Sequence, residues 1–247
     1  MVELASRRRR PHEEEESYFI SMSDMMVGLL FIFVIMLVYF ALQYRQTTDE
    51  LTGAERTRTE ILAQLERRLK EQGVQVVVDY DTGVLRLPEE VLFGSGQFDL
   101  NPNGMIAVST VAREMARVLP CYAFGVNRPG CGESPHRIDA IFVEGHTDID
   151  PMRGGMDNWD LSVRRATNTY RQLIAASPEL GRLTNFPAGE ANSVPVLGVS
   201  GYGPDRPIDR GEDADAKRRN RRIDLRFLMA TPQTEGSGFT DALLRKQ

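Results

Sequence analysis

The pattern of apolar and polar positions begins with a long uncharged run near the N-terminus. No Asp, Glu, Lys or Arg occurs from Met25 to Leu42, about eighteen residues, and the apolar stretch extends back to Tyr18 with Asp24 as its one acid. At a rise of about 1.5 Å per residue, a helix of this length crosses a hydrocarbon core about 30 Å thick. The pattern therefore predicts a single N-terminal transmembrane helix over residues 18–44.

Asp24 lies about two turns inside the start of this helix. An ionised Asp at the centre of a membrane helix costs about 2.5–3.5 kcal/mol, so a lipid-facing position is disfavoured. Small Ser21 and Gly28 on the same helical face would let another helix approach the carboxyl group. Two interpretations follow. Asp24 caps the helix at the headgroup boundary, or it is an intramembrane carboxylate that takes up and releases an ion or proton against a partner subunit.

A second helical pattern covers residues 45–72, which contain no Pro and one Gly. Arg58 interrupts its apolar residues, which recur at three- and four-residue spacing: Leu51, Ala54, Ile61, Leu62, Leu65 and Leu69. Such a stripe forms either a short parallel coiled coil between two copies or a helix that lies on the next domain. The pattern alone is compatible with both. Gly73 is expected to end this connector helix.

From residue 73 onward, short apolar runs alternate with helical periodicity. Strands are expected at 74–80, 84–87, 138–144, 196–202 and 223–229. Helices are expected at 101–119, 161–176 and 213–220. This order predicts an α+β domain in which helices pack on one sheet.

The distribution of charge orients the membrane helix. The formal net charge is −5, which gives no overall field that would attract nucleic acid. Arginines 7–10 precede the apolar run and little beyond Arg45 follows it closely, so the positive-inside rule places the N-terminus in the cytoplasm. We therefore expect a single-pass protein of the bacterial inner membrane. Its parts are a cytoplasmic tail (1–17), the transmembrane helix (18–44), a periplasmic connector helix (45–72), the α+β domain (73–230) and a C-terminal tail (231–247).

Cys121 and Cys131 both fall in the exported part of the chain. In an oxidising periplasm a disulfide between them would close a short loop, whereas the alternative is two unpaired thiols. Their spacing without a companion His is not a metal pattern, and the three histidines are too scattered for one. His146, Asp148 and Ser162 do not form a hydrolase triad, because a gap of one residue does not orient the base. We expect no enzyme activity, metal or resident cofactor.

The densest candidate site begins where a predicted strand ends. Asp148 follows that strand directly, and Arg165 lies in the first turns of the next helix. A carboxylate and a guanidinium that face one cavity suit a zwitterionic amino-acid ligand, since Asp can hold its ammonium group and Arg its carboxylate. The alternative is a structural ion pair between Asp148 and Arg165.

Specific motifs surround these residues. Val143-Glu144-Gly145-His146-Thr147-Asp148, followed by Asn158-x-x-Leu161-Ser162-x-x-Arg165-Ala166, resembles the OmpA C-terminal family of peptidoglycan-binding domains, and the resemblance covers roughly residues 85–229. It implies a β/α sandwich domain that holds the diaminopimelate of the cell-wall stem peptide. On this resemblance, Asp148 and Arg165 grip the ligand, while Asn158 and Leu161 form the framework of the pocket.

The order of parts resembles the MotB branch of flagellar stator subunits. The membrane segment, residues 21–33, lacks the Trp and the Ala-rich sequence of flagellar stators and is similar to the ZorB family of Zorya anti-phage systems. That resemblance implies two copies within a ring of ZorA-like subunits and a motor driven by ion flow. Asp24 would carry the translocated H⁺ or Na⁺. The expected partners are a polytopic MotA/ZorA-like membrane subunit, a second copy of the chain and the peptidoglycan stem peptide. A flagellar-type stator subunit and a passive membrane-to-wall tether are the alternatives.

Overall fold

The computed structural model describes residues 12–94, 96–132, 134–152 and 155–231, with side chains from residue 21 onward. It begins with one long helix, α1 (His12–Glu71), of 60 residues. The helix passes the expected boundaries at 17/18 and 44/45 without a break, because a change from apolar to charged residues alters the surroundings of a helix but not its backbone. Gly73 follows α1 with φ 75°, a conformation that ends a helix. By the contacts within it, the chain divides into two compact units, residues 1–50 and 51–247.

The first unit, described from residue 12, consists of the N-terminal part of α1. Among the described residues, α1 from Ser21 onward holds one stretch that is long and apolar enough to cross a membrane. Every side chain from Met25 to Leu42 is exposed, and so is Asp24. An exposed apolar surface of this length is typical of a segment that lipid or another protein covers. The expected cytoplasmic tail lies partly outside the described residues.

In the second unit, the C-terminal part of α1 packs on the sheet domain. Its apolar stripe is fully buried in the main core at Ile61, Leu62, Leu65 and Leu69. Arg58, which interrupts the stripe, donates from Nη2 to the backbone carbonyl oxygen of Asp81 at 3.0 Å. The domain of the same chain therefore occupies the stripe. Of the two alternatives, the structure shows the helix that lies on the next domain.

The domain is built on a five-stranded sheet of order β1-β2-β5-β3-β4. The strands are β1 (Val77–Asp79), β2 (Val84–Pro88), β3 (Ile138–His146), β4 (Leu197–Gly201) and β5 (Arg222–Met229). β5 runs antiparallel to its neighbours β2 and β3, and β1 is antiparallel to β2. β3 and β4 are parallel, so a crossover must join them.

The helices pack against this sheet and against one another. They are α2 (Glu89–Leu92), α3 (Pro102–Val118), α4 (Asn158–Ala176), which is the crossover, and α5 (Ala214–Asn220). Short 3-10 turns lie at Leu119–Cys121 and Pro178–Arg182. Side-chain caps fix where helices begin: Asn101 accepts from the backbone N–H of Gly104 at 2.7 Å, and Asp157 from that of Asp160, also at 2.7 Å. The predicted α+β class is confirmed.

Cys121 and Cys131 form a disulfide with their Cα atoms 5.0 Å apart. The bridge closes a loop after α3, and His136, just beyond it, lies against α1. A Cβ atom at Gly53 would lie only 2.2 Å from Nε2 of His136, so the His136 ring lies directly against α1 at this glycine. The segment just after the disulfide loop therefore packs against the connector part of α1.

The buried stripe on α1 can be tested with one pair of variants. Leu65→Ala should lower the free energy of unfolding of the domain by about 2–5 kcal/mol, because Leu65 is fully buried and its removal leaves a cavity. Leu51→Ala, on the same helix but 49% exposed, should change it by less than about 0.5 kcal/mol. Fluorescence of Trp159, the one tryptophan of the chain, reports denaturant unfolding. Equal losses in both variants would contradict this packing.

Candidate functional site

Three strand ends meet at one edge of the sheet. Arg222, the first residue of β5, pairs with Pro88 at the end of β2 and with His146 at the end of β3. The residues one step beyond this row are therefore neighbours, although they are far apart in sequence. Glu89 follows β2, and Arg221 precedes β5. The backbone N–H of Glu89 donates to the carbonyl oxygen of Arg221 at 3.2 Å, which holds the two segments together.

Four charged side chains form a chain of alternating sign at this edge. Arg165 donates from Nη2 to Glu89 Oε1 at 2.6 Å. Arg221 Nε lies 2.8 Å from Glu89 Oε2, and Arg221 donates from Nη1 to Asp148 Oδ2 at 2.7 Å. We refer to Asp148, Arg221, Glu89 and Arg165 as the ionic chain. Because each charge has an opposite neighbour, the group is neutral as a whole.

Burial makes these pairings necessary. Arg165 is 2% exposed, Glu89 7% and Asp148 8%. Burial lowers the pKa of Arg165 below its ordinary value, and attraction to Glu89 offsets part of this effect. Arg221 is less buried, and hydrogen bonding to Asp148 together with attraction to Glu89 outweighs burial, so its pKa is raised. Guanidinium groups stay protonated in proteins, so both arginines are cations, and carboxylates hold them in place.

A glycine brings α4 close enough to place Arg165. A Cβ atom at Gly145 would lie 2.0 Å from the carbonyl oxygen of Ser162, so helix and strand can approach this closely only with glycine at the end of β3. The Ser162 hydroxyl accepts from the backbone N–H of Gly203 at 3.0 Å. Arg165 Nε donates to the Gln97 carbonyl at 2.8 Å, which fixes the guanidinium group from the other side.

The ionic chain lines a cavity of about 450 Å³. Asn158 and Leu161 line it as well. Asn158 donates from Nδ2 to the carbonyl oxygens of Asp148 at 3.2 Å and Asp150 at 2.9 Å, so it shapes the loop after β3. The cavity offers carboxylates and guanidinium groups side by side, an arrangement that suits a ligand carrying both an ammonium and a carboxylate group.

The structure thus brings all four residues expected at the site to one cavity: Asp148, Asn158, Leu161 and Arg165. Asp148 and Arg165 do not pair with each other; Arg165 pairs with Glu89 and Asp148 with Arg221, so both take part in ion pairs within the domain. Sequence reasoning missed the two residues between them, Glu89 and Arg221. Their positions at the ends of two predicted strands were the available signal, but it becomes informative only once the pairing of β2, β5 and β3 is known.

A second charged cluster lies beneath the site. Glu144, His146 and Asp224 bring potential ligand atoms within 4.8 Å of one another, and all three are buried. The carboxylates already have guanidinium partners: Arg226 Nε donates to Glu144 at 2.9 and 3.0 Å, and Arg86 and Arg222 each donate to Asp224 at 3.0 Å. Three positive charges therefore surround two negative ones. This excess of positive charge disfavours a metal ion at this position.

His146 is the member of this cluster whose side chain is buried without a hydrogen bond to the described residues. It is 1% exposed, stacks on Tyr202 with ring centroids 5.5 Å apart, and neither ring nitrogen has a hydrogen-bond partner among the described residues. Burial lowers its pKa below the ordinary 6.5, although Glu144 and Asp224, 3.8 and 3.6 Å from Nε2, oppose this effect. His146 is therefore neutral in the folded domain near neutral pH.

In structural terms, the chain belongs to the class of proteins that combine an apolar helical stretch with an α+β domain. That domain has a charge-lined cavity at the edge of its sheet. No family model matches the chain. It is 24% identical to Zorya protein ZorB of Escherichia coli O139:H28 (strain E24377A / ETEC) over 225 residues, which are 90% of this chain and 84% of the relative. It is 30% identical to Motility protein B of Bacillus subtilis (strain 168) over 90 residues, 36% of this chain and 30% of that protein. The resemblance expected from the motifs is confirmed.

Among solved structures, the crystal structure of a putative MotB like protein from Desulfovibrio vulgaris matches with a TM-score of 0.47 and 23% identity. The match covers 72% of this chain and 99% of that one. The match to Motility protein B spans less than a third of that relative, whereas the match to ZorB extends over most of both chains.

The buried histidine predicts a pH dependence of stability. Since the pKa of His146 is lower in the folded than in the unfolded state, the unfolded state binds the proton more readily. Lowering the pH from about 7.5 to about 5.5 should therefore reduce the free energy of unfolding. His146→Gln should lessen this slope in urea titrations, whereas His136→Gln, in the disulfide region, should retain it. An unchanged slope in His146→Gln would contradict the assignment.

Proposed function

We propose that this chain is the peptidoglycan-anchored, stator-like subunit of an ion-driven motor complex of the bacterial inner membrane, acting in anti-phage defence. One observation carries the proposal. The same chain combines an apolar stretch of helix, in which Asp24 is the single carboxylate, with a cavity lined by the ionic chain. The similarity to Zorya protein ZorB supports it, because the 225 matched residues of 247 must include parts of both units.

The cavity is the proposed site for the cell-wall stem peptide. Its diaminopimelate carries an ammonium group, which Asp148 can hold, and a carboxylate, which Arg165 can hold. Within the domain, Asp148 pairs with Arg221 and Arg165 pairs with Glu89. A zwitterionic ligand supplies the same two charges, so it can enter without leaving a buried charge unpaired.

Asp24 is the proposed carrier of the translocated ion, H⁺ or Na⁺. The eighteen or so residues that follow it carry no charge, so an ionised Asp24 inside the bilayer needs a neighbouring helix or an ion beside it. One charge that moves through about 100 mV releases about 2.3 kcal/mol, which is the source of work. The proposed partners are a polytopic MotA/ZorA-like subunit and a second copy of this chain. The N-terminus lies in the cytoplasm and the domain in the periplasm.

The match to Motility protein B favours a second candidate, a flagellar-type stator subunit. It would use Asp24 and the cavity in the same way, and only the cellular system that it drives would differ. A passive membrane-to-wall tether, by contrast, needs the cavity but not Asp24. Substitutions in the two units therefore separate these functions.

Asp148→Asn should weaken binding of the purified full chain to peptidoglycan sacculi by about tenfold or more, since a charge-assisted hydrogen bond is lost while the shape of the side chain is kept. Co-sedimentation with sacculi measures the effect. Asp205→Asn, an exposed residue outside the cavity lining, is the matched control and should bind as the wild type does. Wild-type binding by Asp148→Asn would refute the cavity as the wall-binding site.

Asp24→Asn should abolish protection of cells against phage while the variant still assembles with its membrane partner and still binds sacculi. The amide keeps the size of the side chain but cannot exchange a proton at physiological pH. Asp49→Asn removes an acid from the same helix outside the apolar run and should keep protection. Full protection by the Asp24 variant would favour the passive tether.

A further inference from the structure

A second cavity of the folded unit, of about 720 Å³, shares no lining residue with the first. It lies between the connector part of α1, the end of α3 and the disulfide loop. Four arginines from these three segments line it: Arg56, Arg68, Arg117 and Arg128. Among the described lining residues, Glu60 is the one with an acidic side chain.

The acidic side chains nearby do not neutralise this group. Arg68 and Arg117 share one carboxylate, that of Glu114, at 3.7 and 2.7 Å. Glu114 is 3% exposed and does not itself line the cavity. Among the residues that the structure describes here, four guanidinium groups therefore meet two carboxylates, those of Glu60 and Glu114, which is an excess of two positive charges. The whole chain has a net charge of −5, so this excess is local.

Arg56 and Arg128 are the arginines available to a ligand. Within the part of the chain that the structure describes, no carboxylate forms an ion pair with either of them. Arg128 is nevertheless fixed, because its Nη1 donates to the carbonyl oxygen of Ala116 at 2.9 Å. The Cys121–Cys131 bridge closes the loop that carries Arg128. One wall of the cavity is thus held by a covalent constraint and a hydrogen bond.

We propose that this cavity binds a phosphate-bearing anion. Guanidinium groups match phosphate oxygens in bidentate geometry, and a doubly charged anion balances the excess of two positive charges better than a single carboxylate does. The volume falls within the usual range for small-molecule sites, about 300–1,000 Å³. The anion is either a free phosphate or the phosphate group of an envelope lipid. This inference does not depend on the wall-binding function of the first cavity.

The test uses the full chain in an uncharged, phosphate-free detergent. Calorimetric titration with inorganic pyrophosphate should give saturable binding that weakens as salt is added, since screening acts on exposed charge. The double variant Arg56→Gln/Arg128→Gln should bind about tenfold more weakly or worse, because two charge-assisted contacts are lost. Neither Arg56 nor Arg128 pairs with Glu114, so the double variant keeps the ion pairs that Glu114 forms with Arg68 and Arg117.

The matched control is Arg171→Gln/Arg210→Gln, which removes the same charge from exposed residues that line neither cavity. It should bind pyrophosphate within about twofold of the wild type, since exposed charges outside the site are screened. A second titration uses micelles that contain phosphatidic acid. If the lipid binds more tightly and depends on Arg56 and Arg128, the envelope lipid is the source; if pyrophosphate alone binds, a free phosphate is. Absence of saturable binding to both probes, or equal losses in the two double variants, would overturn the proposal.

Discussion

A guanidinium group that is almost completely removed from water must have a carboxylate beside it, and the candidate site is built around that requirement. Arg165 is 2% exposed and has Glu89 at 2.6 Å. Arg221 then links Glu89 to Asp148. The strand order brings these groups together, because β5 lies between β2 and β3 and its first residue pairs with the last residues of both. The site therefore depends on the register of the sheet, and a slip of one residue would separate the charges.

A second group of ion pairs lies within the strands next to this edge of the sheet. Asp224 and Glu144 lie on β5 and β3 and are neutralised by arginines of the sheet, so the strands beneath the cavity are tied by ion pairs as well as by backbone bonds. The connector part of α1 closes the core on another side. The helix that carries the apolar stretch therefore also contributes side chains to the core of the sheet domain.

The main strands and helices, and the residues that carry the family motif, could be predicted from the sequence. Period-two and period-3.6 patterns located the five strands and helices α3, α4 and α5, but not the short α2. Asp148 and Arg165 came from their positions at a strand end and a helix start, together with the motif resemblance. Glu89 and Arg221 did not, because their partners Arg165 and Asp148 are 76 and 73 residues away and strand pairing brings them together. The boundary at 44/45 between the transmembrane and connector parts was placed at a change in hydropathy, and α1 continues across it because helix continuity depends on backbone propensity.

The central claim is that a zwitterionic wall ligand replaces the internal pairing of the ionic chain. NMR of the full chain labelled with ¹⁵N-arginine in detergent micelles tests it directly, with the Nε–H signals of Arg165 and Arg221 assigned through their Lys variants. When a diaminopimelate-containing muropeptide is added, both signals should shift in a saturable manner, because the ammonium group competes with Arg221 for Asp148. Saturable binding that leaves both signals unmoved would contradict the account.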